Sequence, residues 1–193
     1  MIKHKISVRS IFIAIVVWIT VWAATQGLFM SDVLRNLPWD VNIRYIVATV
    51  WVLTVAITAF VALPKYKKIS LPKSKLLWLY TVPLMALILL PLHYSLALDI
   101  RVYIPMIIIT VFWQDYLTFG ILQPALAKRL SPNQAAIVTA AVFLFGHVLF
   151  SFKNILDPQL LLVTAAGFIF AFSTRRTGNI YIANIIHMFF YLI

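Results

Sequence analysis

The chain has 193 residues, of which 63% are hydrophobic, 15% aromatic and only 11% charged. Its mean hydropathy is +0.99 and its formal net charge +11. A soluble domain is nearer half apolar and a quarter charged, so a soluble enzyme, a nucleic-acid-binding domain and a disordered chain are excluded, and an integral membrane protein remains. The basic residues sit between apolar runs rather than on one face, so no nucleic-acid partner is expected. There is no Cys and no Glu, and the acidic residues are Asp32, Asp40, Asp99, Asp115 and Asp157.

A membrane-crossing helix takes about 20 apolar residues. The pattern predicts an all-α polytopic bundle with seven spans, at about 10–30, 42–63, 75–97, 102–127, 133–152, 158–174 and 178–193. Breakers and charge fill the segments between them. Pro83 and Pro91 are expected to kink the third run, and the sixth and seventh are short. With the N-terminus inside, Lys3, Lys5, Arg9, Lys65, Lys67, Lys68, Lys73, Lys75, Lys128, Arg129, Arg175 and Arg176 fall inside. Only Arg35, Arg44, Arg101 and Lys153 fall outside, which supports an N-in, C-out topology. Lys3, Lys5 and Arg9 ahead of the first run imitate a signal peptide, but the run continues to Met30 and reads as an uncleaved anchor. The chain is expected to be one membrane domain, with flanking spans in 1–99 and a motif-bearing core in 100–193. The basic stretch from Lys65 to Lys75, with Tyr66 and Ile69 interleaved, is expected to lie on anionic headgroups.

Ionisable residues in mid-membrane are costly and mark function by default. Asp115, His147 and His187 qualify. His4 lies in the N-terminal tail, and His93 near a span end reads as a cap. Asp115 follows Gln114 near the centre of the fourth run. Counted from the turn at Ser131-Pro132, read as an N-cap and first helical position, Asp115 and His147 are equidistant and should share a depth. Gly146 beside His147 is expected to admit another backbone. Asn184, His187 and Tyr191 share a helix face, opposite Ala165, Ala166 and Gly167 of the sixth run. One carboxylate and two imidazoles can activate water and stabilise an oxyanion, hold a divalent metal or relay protons. A structural hydrogen-bond clamp uses the same residues. A serine elbow is excluded because no Gly-x-Ser occurs. A zincin needs Glu, an aspartyl pair needs a second membrane Asp, and a retinal protein needs a Lys in the last span.

Three stretches in order resemble the CPBP family of intramembrane endopeptidases, also called Abi. That family includes the type 2 CAAX prenyl endopeptidases and bacteriocin-processing or self-immunity proteins. Gln114-Asp115-Tyr116-Leu117-Thr118-Phe119-Gly120, then Ile121 to Leu126 and Lys128-Arg129-Leu130, stand where the family has Glu-Glu-x-x-x-Arg-Gly and a basic turn. Phe143 to His147 matches its Phe-x-x-x-His. His187 matches the start of its His-x-x-x-Asn, with Tyr191 at the Asn position. The resemblance covers roughly 100–193. It implies a peptide-bond hydrolase without an assigned cofactor, in which the motif base and His147 activate water. It departs at Gln114, Asp115, Phe119 and Tyr191. Two readings stay open. In one, Asp115 is the base, His147 shares its proton, and His187 with Asn184 or Tyr191 steadies the oxyanion beside Phe143. In the other, the chain is a membrane-embedded binding or immunity protein. A proton-coupled carrier is a third and weaker reading. The expected partners are the bilayer and a peptide or transmembrane substrate, the expected place a plasma membrane, and the small size points to a prokaryote. A divalent metal has little support, with one carboxylate and two His to hold it.

Overall fold

The computed structural model describes residues 8–70, 74–150 and 158–193. Lys3, His4, Lys5, Lys73, Lys153 and Asp157 lie outside the described residues. Regular structure among the described residues is all helical. Five stretches are long and apolar enough to cross a membrane: Val8–Arg35, Val41–Ala62, Ile100–Ala127, Pro132–Phe150 and Pro158–Thr177. We label the helices α1 (Val8–Ala24), α2 (Val41–Ala62), α3 (Thr81–Leu89), α4 (Ile100–Asp115), α5 (Pro132–Phe150), α6 (Pro158–Thr177) and α7 (Tyr181–Leu192). Shorter helical turns link them.

Two of the seven expected spans are shorter than a bilayer. The third run becomes the apolar helix Leu77–Leu92 and the seventh Tyr181–Leu192. The 12 residues of α7 extend roughly 18 Å, against about 30 Å of hydrocarbon. The reasons are local. Pro91 sits in a terminal 3₁₀ turn, Leu90–Leu92, that ends its helix. The sixth run is not short: α6 continues through Arg175 and Arg176 to Thr177, at 20 residues. Gly178, at φ +68°, then makes the left-handed turn that stops it, its N–H bonding to Thr174 O at 2.8 Å.

The stretch Ile100–Ala127 is the central element. Of its most apolar window 67% is buried, against 28% for Val8–Arg35 and 22% for Val41–Ala62. The outer helices turn Val16, Val17, Ile57, Val61, Leu161 and Leu162 outward. Such a surface is unfavourable in water and ordinary against lipid tails. Buried polar contacts tie the outer helices to the central one. Trp18 Nε1 donates to Thr118 Oγ1 at 3.1 Å and Trp113 Nε1 to Thr25 Oγ1 at 3.0 Å. Gln26 donates to the Thr110 carbonyl.

Past Asp115 the central helix widens into a π-helical turn, Tyr116–Leu122. Pro124 is the physical cause we assign. It lacks an N–H, and its ring would meet the carbonyl four residues back in a regular α-helix. The wider turn relieves that crowding, and Gln123 N–H bonds to Thr118 O, five residues back. The helix then turns at Lys128 and restarts at Pro132. Ser131 and Gln134 cap that start reciprocally, Ser131 N to Gln134 Oε1 at 3.0 Å and Gln134 N to Ser131 Oγ at 3.4 Å.

At the other end, Asp99 caps α4 and takes a bidentate contact from Arg101. This holds the Asp99 carboxyl down to about 2. Asp99 N–H also donates to Asn42 Oδ1 at 2.8 Å, joining the starts of α2 and α4.

In the basic stretch after α2, the described apolar residues face the protein. Tyr66 is buried under the ammonium groups of Lys65 and Lys128, 5.0 and 5.8 Å from its ring centroid. Ile69 packs on the core, and its carbonyl accepts from Ile180 N at 2.9 Å. These interleaved residues are thus drawn to the protein core rather than left on the surface.

Candidate active site

Gln114 and Asp115 are neighbours near the end of α4, so their side chains leave the helix about 100° apart. One turns to α5 and the other to α7. Asp115 is 0% exposed, and both of its oxygens are engaged. Oδ1 lies 2.9 Å from His187 Nδ1, and Oδ2 accepts from Asn184 Nδ2 at 3.1 Å. Asn184 Oδ1 accepts in turn from the Tyr80 hydroxyl at 3.5 Å. An ionised Asp115 carboxylate can only accept, and with it His187 Nδ1 carries the proton of this pair. The ring edge left to the cavity described below then carries Nε2.

His147 is held differently. Its Nδ1 lies 2.8 Å from Phe143 O. The carbonyl can only accept, so Nδ1–H donates. Nε2 lies 3.2 Å from Gln114 Nε2 and accepts from that amide. The expected Asp115–His147 pair is therefore corrected. The partners of His147 are Gln114 and Phe143, and those of Asp115 are His187 and Asn184. Equal distance from a turn sets depth, whereas the helical angle selects which of two adjacent side chains meets the neighbour.

Both imidazoles, each 6% exposed, line a cavity of about 400 Å³ with Phe143, Ala166, Phe170 and Tyr191. Phe143 stands between the rings, its centroid 4.4 Å from His147 and 6.2 Å from His187. Phe170 and Tyr191 flank His187 at 5.4 and 5.5 Å. Asn184 and His187 share a helix face as expected, since both reach Asp115, but Asn184 meets the carboxylate away from the imidazole cavity. It lines a separate apolar groove with Tyr80, Phe112 and Met188. Asp115 and Gln114 do not line the imidazole cavity.

Two packing expectations are also corrected. A Cβ on Gly146 would meet Trp18 Cη2 at 2.9 Å and Trp22 Cε2 at 3.4 Å, so this glycine admits indole rings rather than a backbone. Gly167 faces Phe143 and Ala140 of α5, not α7. Of its neighbours, Ala166 reaches the cavity and Ala165 is exposed.

Tyr80, Phe170 and Trp22, whose ring centroid lies 5.7 Å from His147, were not read from the sequence. The aromatic and polar stripe Trp18, Trp22, Thr25 and Gln26 is an available signal in the stretch Val8–Arg35. Tyr80 carries none.

A divalent metal does not fit this donor set. Asn184 Nδ2 and His187 Nδ1 point N–H groups at the Asp115 oxygens, and His147 Nε2 faces an amide. Among the described residues no group of three His, Asp or Glu side chains could hold an ion.

Comparison with known families follows the same residues. The family model of the type II CAAX prenyl endopeptidase Rce1-like proteins matches residues 95–193. That is just over half of the chain, and the chain belongs to this family, a branch of the CPBP proteins. No curated protein and no solved structure matches it.

Proposed function

We propose that this Rce1-like chain is an intramembrane peptidase in which His187, backed by Asp115, activates water. The single observation that carries the reading is the chain Asn184–Asp115–His187 ending at a cavity. A buried carboxylate on Nδ1 fixes the tautomer that leaves Nε2 free, and it stabilises the imidazolium formed when Nε2 takes a proton. Water held in the cavity gives its proton to His187 Nε2 as its oxygen attacks the carbonyl carbon of a peptide. The Tyr191 hydroxyl, on the same wall, donates to the resulting oxyanion. His187 then returns the proton to the leaving nitrogen as the C–N bond breaks. Phe143 and His147 shape the far wall.

This assigns Asp115 a positioning role rather than that of the base. Its oxygens are both occupied, and it does not reach the cavity. The other departures fit a redistributed site. Gln114 replaces a carboxylate and Phe119 replaces an arginine, so opposite charges are lost together and neither is left buried and unpaired. Phe119 packs on Phe143 and Phe170 at 5.4 and 5.8 Å.

The substrate is a peptide or transmembrane segment in leader or bacteriocin processing, self-immunity or CAAX-type maturation. We place the protein in a prokaryotic plasma membrane, as one domain with flanking spans in 1–99 and its core in 100–193. The seven apolar segments run N-terminus inside, and the imidazole cavity, lined by Gln159 and Leu162 at the start of α6 and Tyr191 at the end of α7, then lies in the outer half of the bundle rather than toward the cytoplasm. The basic excess on the assigned inner segments supports that orientation. A second reading, a binding or immunity protein, is favoured by one contact: the Gln114 amide caps the lone pair of His147.

The test is cleavage of a panel of prenylated and leader-type peptides by the purified protein in bilayers. Cleavage lost in Asp115→Asn supports the peptidase. A wild type that binds peptides without cutting them, and binds equally well as Asp115→Asn, supports the binder.

A further inference from the structure

A smaller cavity, about 220 Å³, lies at the end of the molecule bearing Lys65, Lys67, Lys68, Lys128, Arg129, Arg175 and Arg176. Its polar lining is Gln123, Thr174 and Arg175, and Ile69, Phe119 and Pro132 form its walls. No acidic side chain lines it. Gln123 and Thr174 are 5% and 2% exposed, yet Gln123 Oε1 and Thr174 Oγ1 have no partner. Such orphaned atoms in a buried site call for an explanation.

The amide is oriented unambiguously. Gln123 Nε2 donates to Ala171 O at 2.8 Å, and a carbonyl accepts only from the NH₂ side. The acceptor Oε1 is therefore the atom left over. Thr174 is equally distinctive. The helical threonines Thr54, Thr58, Thr139 and Thr164 all satisfy their hydroxyls on the carbonyl four residues back, at 2.7–2.8 Å. Thr174 does not. The carbonyl in question, Phe170 O, takes Ser173 Oγ instead. The site thus combines an exposed arginine on its rim, whose guanidinium now lies 5.8 Å from the Phe172 ring and can swing to the mouth, a hydroxyl donor and an unsatisfied acceptor, at the first turn of α5, whose dipole also favours an anion.

We infer that this cavity binds a phosphate ester carrying a free hydroxyl, the headgroup of an anionic phosphoglycerol lipid. Arg175 and the Thr174 hydroxyl donate to phosphate oxygens. The headgroup hydroxyl donates to Gln123 Oε1. A choline headgroup has no hydroxyl to give, and both choline and ethanolamine bring a cation to a face already rich in cations. The aromatic wall Phe119–Phe143–Phe170 separates this cavity from the imidazoles, so it does not overlap the site above.

Native mass spectrometry of the full chain, released from bilayers of mixed phosphatidylglycerol, phosphatidylethanolamine and phosphatidylcholine, tests this. We expect at least tenfold enrichment of phosphatidylglycerol on the protein. The enrichment falls about tenfold in Arg175→Gln and in Thr174→Val, a near-isosteric change that keeps the fold. It persists in Arg176→Gln, which removes the same charge one residue away and outside the cavity. Displacement by soluble glycerol phosphate, dependent on Arg175, would assign the site to a free ester of the same chemistry. Its failure to displace assigns the site to the lipid. Equal retention of all three lipids, or equal losses in Arg175→Gln and Arg176→Gln, overturns the inference.

Discussion

The α4–α7 contact and the α4–α5 contact each bring a histidine to one cavity, and they hold it in opposite ways. At α7 a buried carboxylate grips Nδ1, a second donor from Asn184 holds the carboxylate, and Nε2 is left free. At α5 a backbone carbonyl grips Nδ1, and an uncharged amide covers Nε2. The two sides differ because Gln114 and Asp115 are adjacent in sequence and face different helices. On the proposed reading, chemistry that needs a proton acceptor falls to the α7 side, and the α5 side shapes and binds.

The largest expected effect breaks the α7 side. Asp115→Asn keeps the shape but loses the charge that fixes the tautomer of His187, and cleavage should fall about 10²–10⁴-fold in single-turnover assays. Tyr191→Phe removes the proposed oxyanion donor from the same side. It should slow cleavage about 10²-fold with little change in peptide binding. Equal losses of rate and affinity would instead make Tyr191 a binding residue.

The α5 side should respond mainly in stability. Gly146→Ala pushes a methyl to 2.9 Å from Trp18, within a stack whose Trp18 and Trp22 centroids are 5.7 Å apart. We expect a loss of about 1–3 kcal/mol, read from thermal unfolding in detergent. The smallest effect lies far from both sides. Asp99→Asn removes an exposed carboxylate whose folded pKa is depressed to about 2 from 3.8. Its contribution is fully present above about pH 4 and fades as pH falls toward 2. The gap in unfolding temperature between wild type and Asp99→Asn should close over that window.

Much of this was legible in sequence because the bilayer permits few solutions. Apolar runs and the positions of charge gave the helices, and Ser131-Pro132 marked the start of α5. The motifs gave His147, His187, Gln114 and Asp115 as one cluster. What sequence could not give is azimuth. Asp115 and Gln114 occupy nearly one depth, and only packing decided which met which imidazole. Helix ends also escaped hydropathy, since α6 carries Arg175 and Arg176 past its apolar part before Gly178 stops it. Tyr80 and Phe170 entered the site through tertiary contact alone. The apolar residues Tyr66 and Ile69 looked ready for lipid and were claimed by the core.

The central claim is that His187 with Asp115 is the water-activating unit and that Gln114 is not. Its most direct test is the single-turnover cleavage rate of wild type, Asp115→Asn and Gln114→Glu on one peptide that the wild type cuts or binds. The expected result is loss in Asp115→Asn and a rate within about tenfold of wild type in Gln114→Glu. An inert wild type, with cleavage appearing only in Gln114→Glu, would contradict it and return the base to the α5 side.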